Sequence, residues 1–220
     1  MEKEILCFGD SNTWGFDPSD GKRYGRSVRW PCVAQAALGQ GWHLIEEGLN
    51  GRTTVFEDEI EAGRRGLSSL VMLLETHMPL DLVVIMLGTN DLKTRYGAAP
   101  RDIGLGWARL AKAVRERCLW FPYPAPQILL AVPPPVLSCP ALSESFAGAV
   151  EKSARFAETG RQVAKENRLL FFDCGSVVKS SPIDGIHLSP ESQKALGLAM
   201  ASYLRAWAAG NPAEKGAANP

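Results

Sequence analysis

Five short apolar runs punctuate the chain, at residues 4–8, 42–46, 81–87, 127–132 and 169–172. Most are continuous rather than alternating, the pattern of strands covered on both faces. Between them, apolar residues recur at helical spacing. Trp30, Val33, Ala37 and Leu38 make one such face, closed by Gly39 as a C-terminal stop. A second helix is predicted over 67–77, ended by Pro79. Ile103, Trp107, Leu110, Ala111, Val114 and Cys118 mark a third. Phe146, Ala149, Val150, Ser153, Phe156, Ala157, Val163 and Ala164 predict one long fourth helix. The last begins at Ser189-Pro190, an N-cap serine followed by a first-turn proline. Its core face is Leu196, Ala199, Met200, Tyr203 and Trp207. The terminal stretch GNPAEKGAANP has no periodicity. A single domain is therefore expected over residues 1–208, with a disordered tail over 209–220.

Strands alternating with helices predict the α/β class: a parallel sheet wrapped by helices on both faces. A doubly wound sheet of five strands takes the order 2-1-3-4-5, giving a three-layer, flavodoxin-like sandwich. Ligands of such sheets bind outside the carboxyl ends of the strands, near the switch point between strands 1 and 3. The segments that follow the strands are GDSNTWG, GLNGRTT, GTNDLK, PPPVLS and DCGSVV, and SPIDGIHLS precedes the last helix.

Composition narrows the function. Of 220 residues, 45% are hydrophobic and 22% charged, the balance of a globular protein with a sizeable core. Lys plus Arg and Asp plus Glu each number 24, so no basic field favours nucleic acid or a membrane surface. No apolar run approaches the length of a membrane span. The N-terminal MEKEILCFGD passes from charge straight into a strand, without the regions of a signal peptide, and a cytoplasmic location is expected. The five cysteines, Cys7, Cys32, Cys118, Cys139 and Cys174, are odd in number and form no CxxC pair, so reduced thiols are expected. No HExxH or His/Cys cluster suggests a metal, and no cofactor is expected.

GDSNTWG decides the chemistry. A phosphate cradle of the GxxxxGK[ST] kind needs a lysine that is absent here, and Asp10 would repel an anion. A nucleophile turn fits better: the glycine permits a sharp bend, and Ser11 emerges at a strand end with its own N–H available to a developing oxyanion. A serine hydroxyl needs a base. The chain has three histidines. His43 begins a strand, and His77 ends a helix, where an imidazole can cap the last carbonyls. His187 lies in SPIDGIHLS, three residues after Asp184 with Gly185 between. A bend at that glycine can bring the Asp184 carboxylate to Nδ1 and leave Nε2 facing Ser11. Asn90 of GTNDLK either points its amide into the crevice or caps the next turn. Gly51 of GLNGRTT either offers an unobstructed backbone N–H or makes a simple turn. Asp173 is read as a loop brace, Asp10 as a brace of its own turn, and Cys174 as inert.

Ser11, Gly51, Asn90 and His187 come from four loops at one end of the sheet. With these blocks in this order the chain resembles the SGNH hydrolases of the GDSL esterase superfamily, over residues 9 to 189. The family's GDSL reads GDSN here, and the departing Asn12 lies beside the nucleophile. ILCFGDSNTWG, IEEGLNGRTT, DLVVIMLGTNDLK and DGIHL resemble a narrower branch of small bacterial arylesterases and acyltransferases. The resemblance implies catalytic Ser11, Asp184 and His187, and an oxyanion hole of Ser11 N–H, Gly51 N–H and the Asn90 side chain. It implies no metal or cofactor.

The expected activity is hydrolysis of short-chain acyl esters, acetyl or aryl, through an acyl-enzyme, with transfer to alcohols besides water. Trp14 and Phe16 are expected to wall the acyl pocket, and Lys93, with Arg95, to line its mouth. Two alternatives stand: a carbohydrate acetylesterase with the same catalytic residues, and a non-catalytic small-molecule or polysaccharide-binding module on the same fold. The expected partners are a small ester substrate and an alcohol or water acceptor. Long insertions at 17–29, 56–65 and 133–144, together with the acyltransferase resemblance, predict a homo-oligomer.

Overall fold

A computed structural model describes residues 2–210. Its sheet contains β1 (Lys3–Gly9), β2 (Trp42–Gly48), β3 (Leu82–Met86), β4 (Gln127–Val132) and β5 (Leu170–Asp173). All pairings are parallel, and the order is β2-β1-β3-β4-β5. The predicted three-layer α/β sandwich is therefore present. Register matters for the site: Gly9, the last residue of β1, sits opposite Gly48 on one side and Met86 on the other. The chain thus leaves three adjacent strands at one level, at the switch point where a doubly wound sheet opens a crevice.

Strand side chains alternate between the two faces. Ile5, Cys7, Val84 and Met86 pack in one layer with Trp30, Leu196 and Met200. Those partners belong to α2 (Trp30–Leu38) and α7 (Pro190–Ala208). Leu6, Phe8, Val83 and Ile85 face the opposite layer, against Leu70, Leu74, Leu110 and Val114. These lie on α3 (Gly66–His77) and α4 (Pro100–Cys118). Trp107 of α4, Phe156 and Val163 cover Val132 and Phe171 at the β4–β5 end. With both faces covered, every residue of β3 is buried, which accounts for its continuous apolar run. Each fully buried leucine, isoleucine or phenylalanine contributes about 1.5–3 kcal/mol.

The fourth predicted helix is not continuous. Its apolar positions fall on a 3₁₀ turn (Glu144–Phe146), a short helix α5 (Ala149–Ser153) and a longer α6 (Phe156–Asn167). Gly148 takes a left-handed φ of 75° between the first two pieces. Ser153 Oγ accepts Val136 N–H at 2.9 Å, which fastens α5 to the segment after β4. The last helix starts where predicted, with Ser189 Oγ accepting Ser192 N–H. From residue 211 onward the predicted tail lies outside the described residues.

Candidate active site

β1 carries Gly9 to the carboxyl edge of the sheet, and the chain turns at once. Asp10 Oδ1 accepts Asn12 N–H at 2.9 Å and caps the four-residue helix α1 (Ser11–Trp14), the brace expected of it. Ser11 follows directly. Its neighbour Asn12, buried at 2% exposure, grips the far segment of the chain. Asn12 Oδ1 accepts Leu188 N–H at 3.0 Å, and Asn12 Nδ2 donates to Ile186 O at 3.4 Å. Gln193 of α7 adds a further tie, donating from Nε2 to Asn12 O at 2.9 Å.

The residues on either side of His187 are therefore fixed to the nucleophile turn. The loop itself is tight: Gly185 N–H donates to Ser181 O at 2.8 Å, and Ser181 N–H to His187 O at 2.6 Å. Gly185 has φ 78°, and a Cβ there would stand 2.3 Å from Leu137 O, so only glycine fits the bend. Asp184 Oδ1 accepts the N–H of Ile186 at 2.9 Å and of His187 at 3.0 Å. Its Oδ2 lies 2.5 Å from His187 Nδ1. On the other side of the ring, Nε2 lies 2.9 Å from Ser11 Oγ. Burial pushes the Asp184 carboxyl up, but the His187 ring and the two N–H groups outweigh it and hold it below its ordinary value.

Two further loops close the crevice. Asn90 Nδ2 donates to Arg52 O at 3.1 Å, while Asp10 Oδ2 lies at a long 3.5 Å. One amide N–H is thus held by a carbonyl and the other is only loosely engaged. Ser11 N–H and Gly51 N–H have no hydrogen-bond partner among the described residues. Arg52, buried, donates from Nη1 to Gly9 O at 2.8 Å and Glu47 O at 2.5 Å, fastening its loop to the ends of β1 and β2. Both Asp91 oxygens lie 3.1 Å from Thr54 N, and Oδ1 also accepts the Thr54 hydroxyl. GTNDLK and GLNGRTT are so locked together. Burial pushes Asp10 up to about 6 and Asp91 up to about 7, against the hydrogen bonds each receives.

A cavity of about 210 Å³ opens beside Ser11. Gly51, Asn90 and His187 line it, together with the apolar Phe16, Phe146 and Ile186 and the polar Asn50, Glu61 and Lys93. The Phe16 ring centroid lies 4.2 Å from the His187 ring. Trp14 is not on the wall: its ring stands 6.5 Å from Phe16, under the Arg23 guanidinium. Lys93 lines the cavity as expected, whereas Arg95 binds Asp58 instead. Sequence reasoning passed over Asn50, Glu61, Phe146 and Ile186. A larger groove, about 460 Å³, lies between α4 and α6 and includes none of these residues.

The rival groups stand apart. His43 Nδ1 pairs with Glu4 at 2.7 Å. His77 Nε2 faces Glu47 at 2.9 Å rather than the carbonyls of its own helix. Asp173 Oδ1 accepts Gly175 N–H at 2.9 Å, a loop brace. Burial pushes the Cys174 thiol far up. Among the described residues there is no group of three or more His, Cys, Asp or Glu that could hold a metal. No helix among them is long and apolar enough to cross a membrane.

A serine, an imidazole and a carboxylate in one hydrogen-bonded line, beside uncommitted N–H donors, is the arrangement of a serine hydrolase. Residues 7–195 match the model of the GDSL-like Lipase/Acylhydrolase family, and the chain belongs to that family. A carbohydrate acetylesterase from Sinorhizobium meliloti is 39% identical, with 94% of this chain and 100% of that one covered and a TM-score of 0.89. The inhibitor-bound aryl esterase of M. smegmatis is 40% identical, covering 93% and 99%, also at 0.89. A carbohydrate acetylesterase family member from Sinorhizobium meliloti is 41% identical, covering 92% and 97%, at 0.87. No curated protein matches the chain. The chain is a carboxylic ester hydrolase.

Proposed function

We propose that Ser11 is the nucleophile of a serine esterase that cleaves short acetyl and aryl esters. The observation that carries this reading is the line from Asp184 Oδ2 through His187 to Ser11 Oγ, at 2.5 and 2.9 Å. His187 Nε2 takes the hydroxyl proton as Oγ attacks the ester carbon. Asp184, bonded to Nδ1, fixes the tautomer and stabilises the imidazolium. Ser11 N–H, Gly51 N–H and the second N–H of Asn90 face the developing oxyanion. The C–O bond to the alcohol then breaks, the alcohol leaves with the proton from His187, and the acyl group remains on Oγ. Water, activated by the same imidazole, releases the acid.

A cavity of about 210 Å³ supports short acyl groups, and Phe16, Phe146 and Ile186 support an apolar face for an aryl or acyl group. Relatives of about equal similarity are an aryl esterase and a carbohydrate acetylesterase. The apolar face beside His187 favours aryl esters. The Trp14 ring lies 6.5 Å from that of Phe16. Transfer of the acyl group to a small alcohol in place of water, a homo-oligomeric cytoplasmic enzyme, and a single domain over 1–208 complete the proposal. The test is fluorophosphonate labelling, together with a rate profile over p-nitrophenyl esters of increasing chain length. We expect Ser11 to be labelled, Ser11→Ala to escape label, and acetate to exceed octanoate. Label on another residue of the folded protein overturns the assignment.

A further inference from the structure

The cavity beside Ser11 is lined by both apolar and polar side chains, and one of the polar ones is an incompletely satisfied cation. The Lys93 side chain is only 10% exposed, yet its ammonium makes no hydrogen bond among the described residues. Its one ion pair is with Glu61 Oε1, at 3.9 Å. That carboxylate is shared, since Arg64 Nε lies 3.3 Å and Arg95 Nη2 3.5 Å from it. Arg95 is further engaged by Asp58 at 2.5 Å. Asp58 in turn is filled by Tyr96 OH at 2.6 Å and by the N–H groups of Ile60 and Glu61, each at 3.1 Å. Three cations, Arg64, Lys93 and Arg95, thus share two carboxylates, Asp58 and Glu61, and Lys93 is the one left without a carboxylate oxygen within hydrogen-bond distance.

Glu61 would remain paired without Lys93, so a structural ion pair does not account for the lysine. Burial, with Arg95 nearby, holds the Lys93 ammonium below its ordinary value. A desolvated ammonium with three donors is most favourably completed by an anionic oxygen. The cavity admits one, because Lys93 lines it together with Ser11.

Resting on the esterase reading of Ser11, we infer that Lys93 is a subsite for a carboxylate on the substrate. The preferred ester is small, with an apolar part against Phe16 and a carboxylate at Lys93. The carboxylate can belong to the alcohol or to the acyl half, and the experiment separates these.

The alcohol arm compares 4-acetoxybenzoate with the neutral 4-acetoxybenzamide. The acyl arm compares the mono-p-nitrophenyl ester of glutaric acid with p-nitrophenyl valerate. In at least one arm the full-length protein should favour the anion in kcat/KM by about 10- to 100-fold, the range of one charge-assisted hydrogen bond. Lys93→Met should abolish that ratio, and Lys93→Arg should retain part of it. Ratios near one in both arms, or a ratio unchanged in Lys93→Met, overturn the inference. Calorimetry on Ser11→Ala decides the subsite without turnover: 4-acetoxybenzoate should bind more tightly than the amide, and Lys93→Met should erase the difference. Absence of turnover of any ester, with anion-selective binding intact, would sink the esterase reading and leave the subsite standing. Equal binding of the two ligands, with esters turned over, would do the reverse.

Discussion

Asp184→Asn tests the proposed machinery at its least replaceable atom. The substitution keeps the side chain's shape. Its carbonyl oxygen can still accept the N–H groups of Ile186 and His187, now held at 2.9 and 3.0 Å, so the loop should keep its form. The change falls on Oδ2, 2.5 Å from His187 Nδ1, where an NH₂ group would replace a carboxylate oxygen. An NH₂ donates, so Nδ1 must become the acceptor and the ring proton must move to Nε2. Nε2 faces Ser11 Oγ at 2.9 Å and would then donate to it instead of accepting its proton. Loss of the base, together with loss of the charge beside the imidazolium, should lower kcat by about 10⁴-fold, as the equivalent change does in other serine triads. At 1.36 kcal/mol per factor of ten, that is about 5 kcal/mol of barrier. The assay is p-nitrophenyl acetate turnover, with near-UV circular dichroism to establish that packing is kept. A variant within about tenfold of the parent would refute the argument. The variant should also be the less stable protein at neutral pH. Because the Asp184 carboxyl lies below its ordinary value in the fold, its ionised form contributes stability above the unfolded carboxylate's pKa. That contribution is lost as pH falls through the folded value, so the two stabilities should converge in acid.

Asn90→Ala should leave folding intact and lower kcat by about 10²–10³-fold, with KM little changed, if its amide serves the oxyanion; an effect confined to KM in steady-state kinetics would instead make it a binding residue. Asn12→Leu, restoring the family's usual fourth letter, strands Leu188 N–H and Ile186 O and should cost about 1–3 kcal/mol in urea unfolding; it should also lower kcat more than it raises KM. Asp10→Asn should gain on the parent as pH rises from about 4 to about 6, by up to about 3 kcal/mol, because burial raises the Asp10 carboxyl from 3.8 to about 6 and ionising it above that range costs the native state. Parallel urea-derived stability profiles of the two proteins would contradict that account.

The sheet was legible because its strands are buried on both faces. A run such as Leu82–Met86, with no exposed residue, leaves its apolar pattern unbroken. The order of the strands followed from alternation with helices, and from the order came the convergence of GDSNTWG, GLNGRTT, GTNDLK and DGIHL. The fourth helix was misread for a physical reason. Periodicity records which side of a segment is buried, and the three pieces over 144–167 bury one side in common. It does not record backbone continuity, which Gly148 interrupts. Trp14 was misplaced because nearness in sequence to a nucleophile does not fix where an aromatic side chain points. Asn12 went unread because its partners lie 174 and 176 residues away. Asp91 went unread for the same reason, since its partner, Thr54, lies on another loop 37 residues away. Local chemistry is visible in a sequence, whereas cross-links between distant loops are visible only once the fold has brought them together.

Those cross-links bear on why the site tolerates so costly a residue as Asp10. A carboxyl buried at 1% exposure beside the nucleophile is stable as a brace only in part, since an asparagine could cap the same turn. Its charge has a second effect. Electrostatic attraction to His187 lowers the Asp10 value against the larger effect of burial. In the proposed mechanism the imidazolium appears only once Ser11 has given up its proton. Asp184 stabilises that cation through Nδ1. The cost of holding Asp10 ionised in the resting fold is offset only in part, by the Arg52 charge and the Asn12 N–H. Stability surrendered at Asp10, and only partly recovered in the surrounding polar network, is the trade expected where an active site is built into a buried sheet edge.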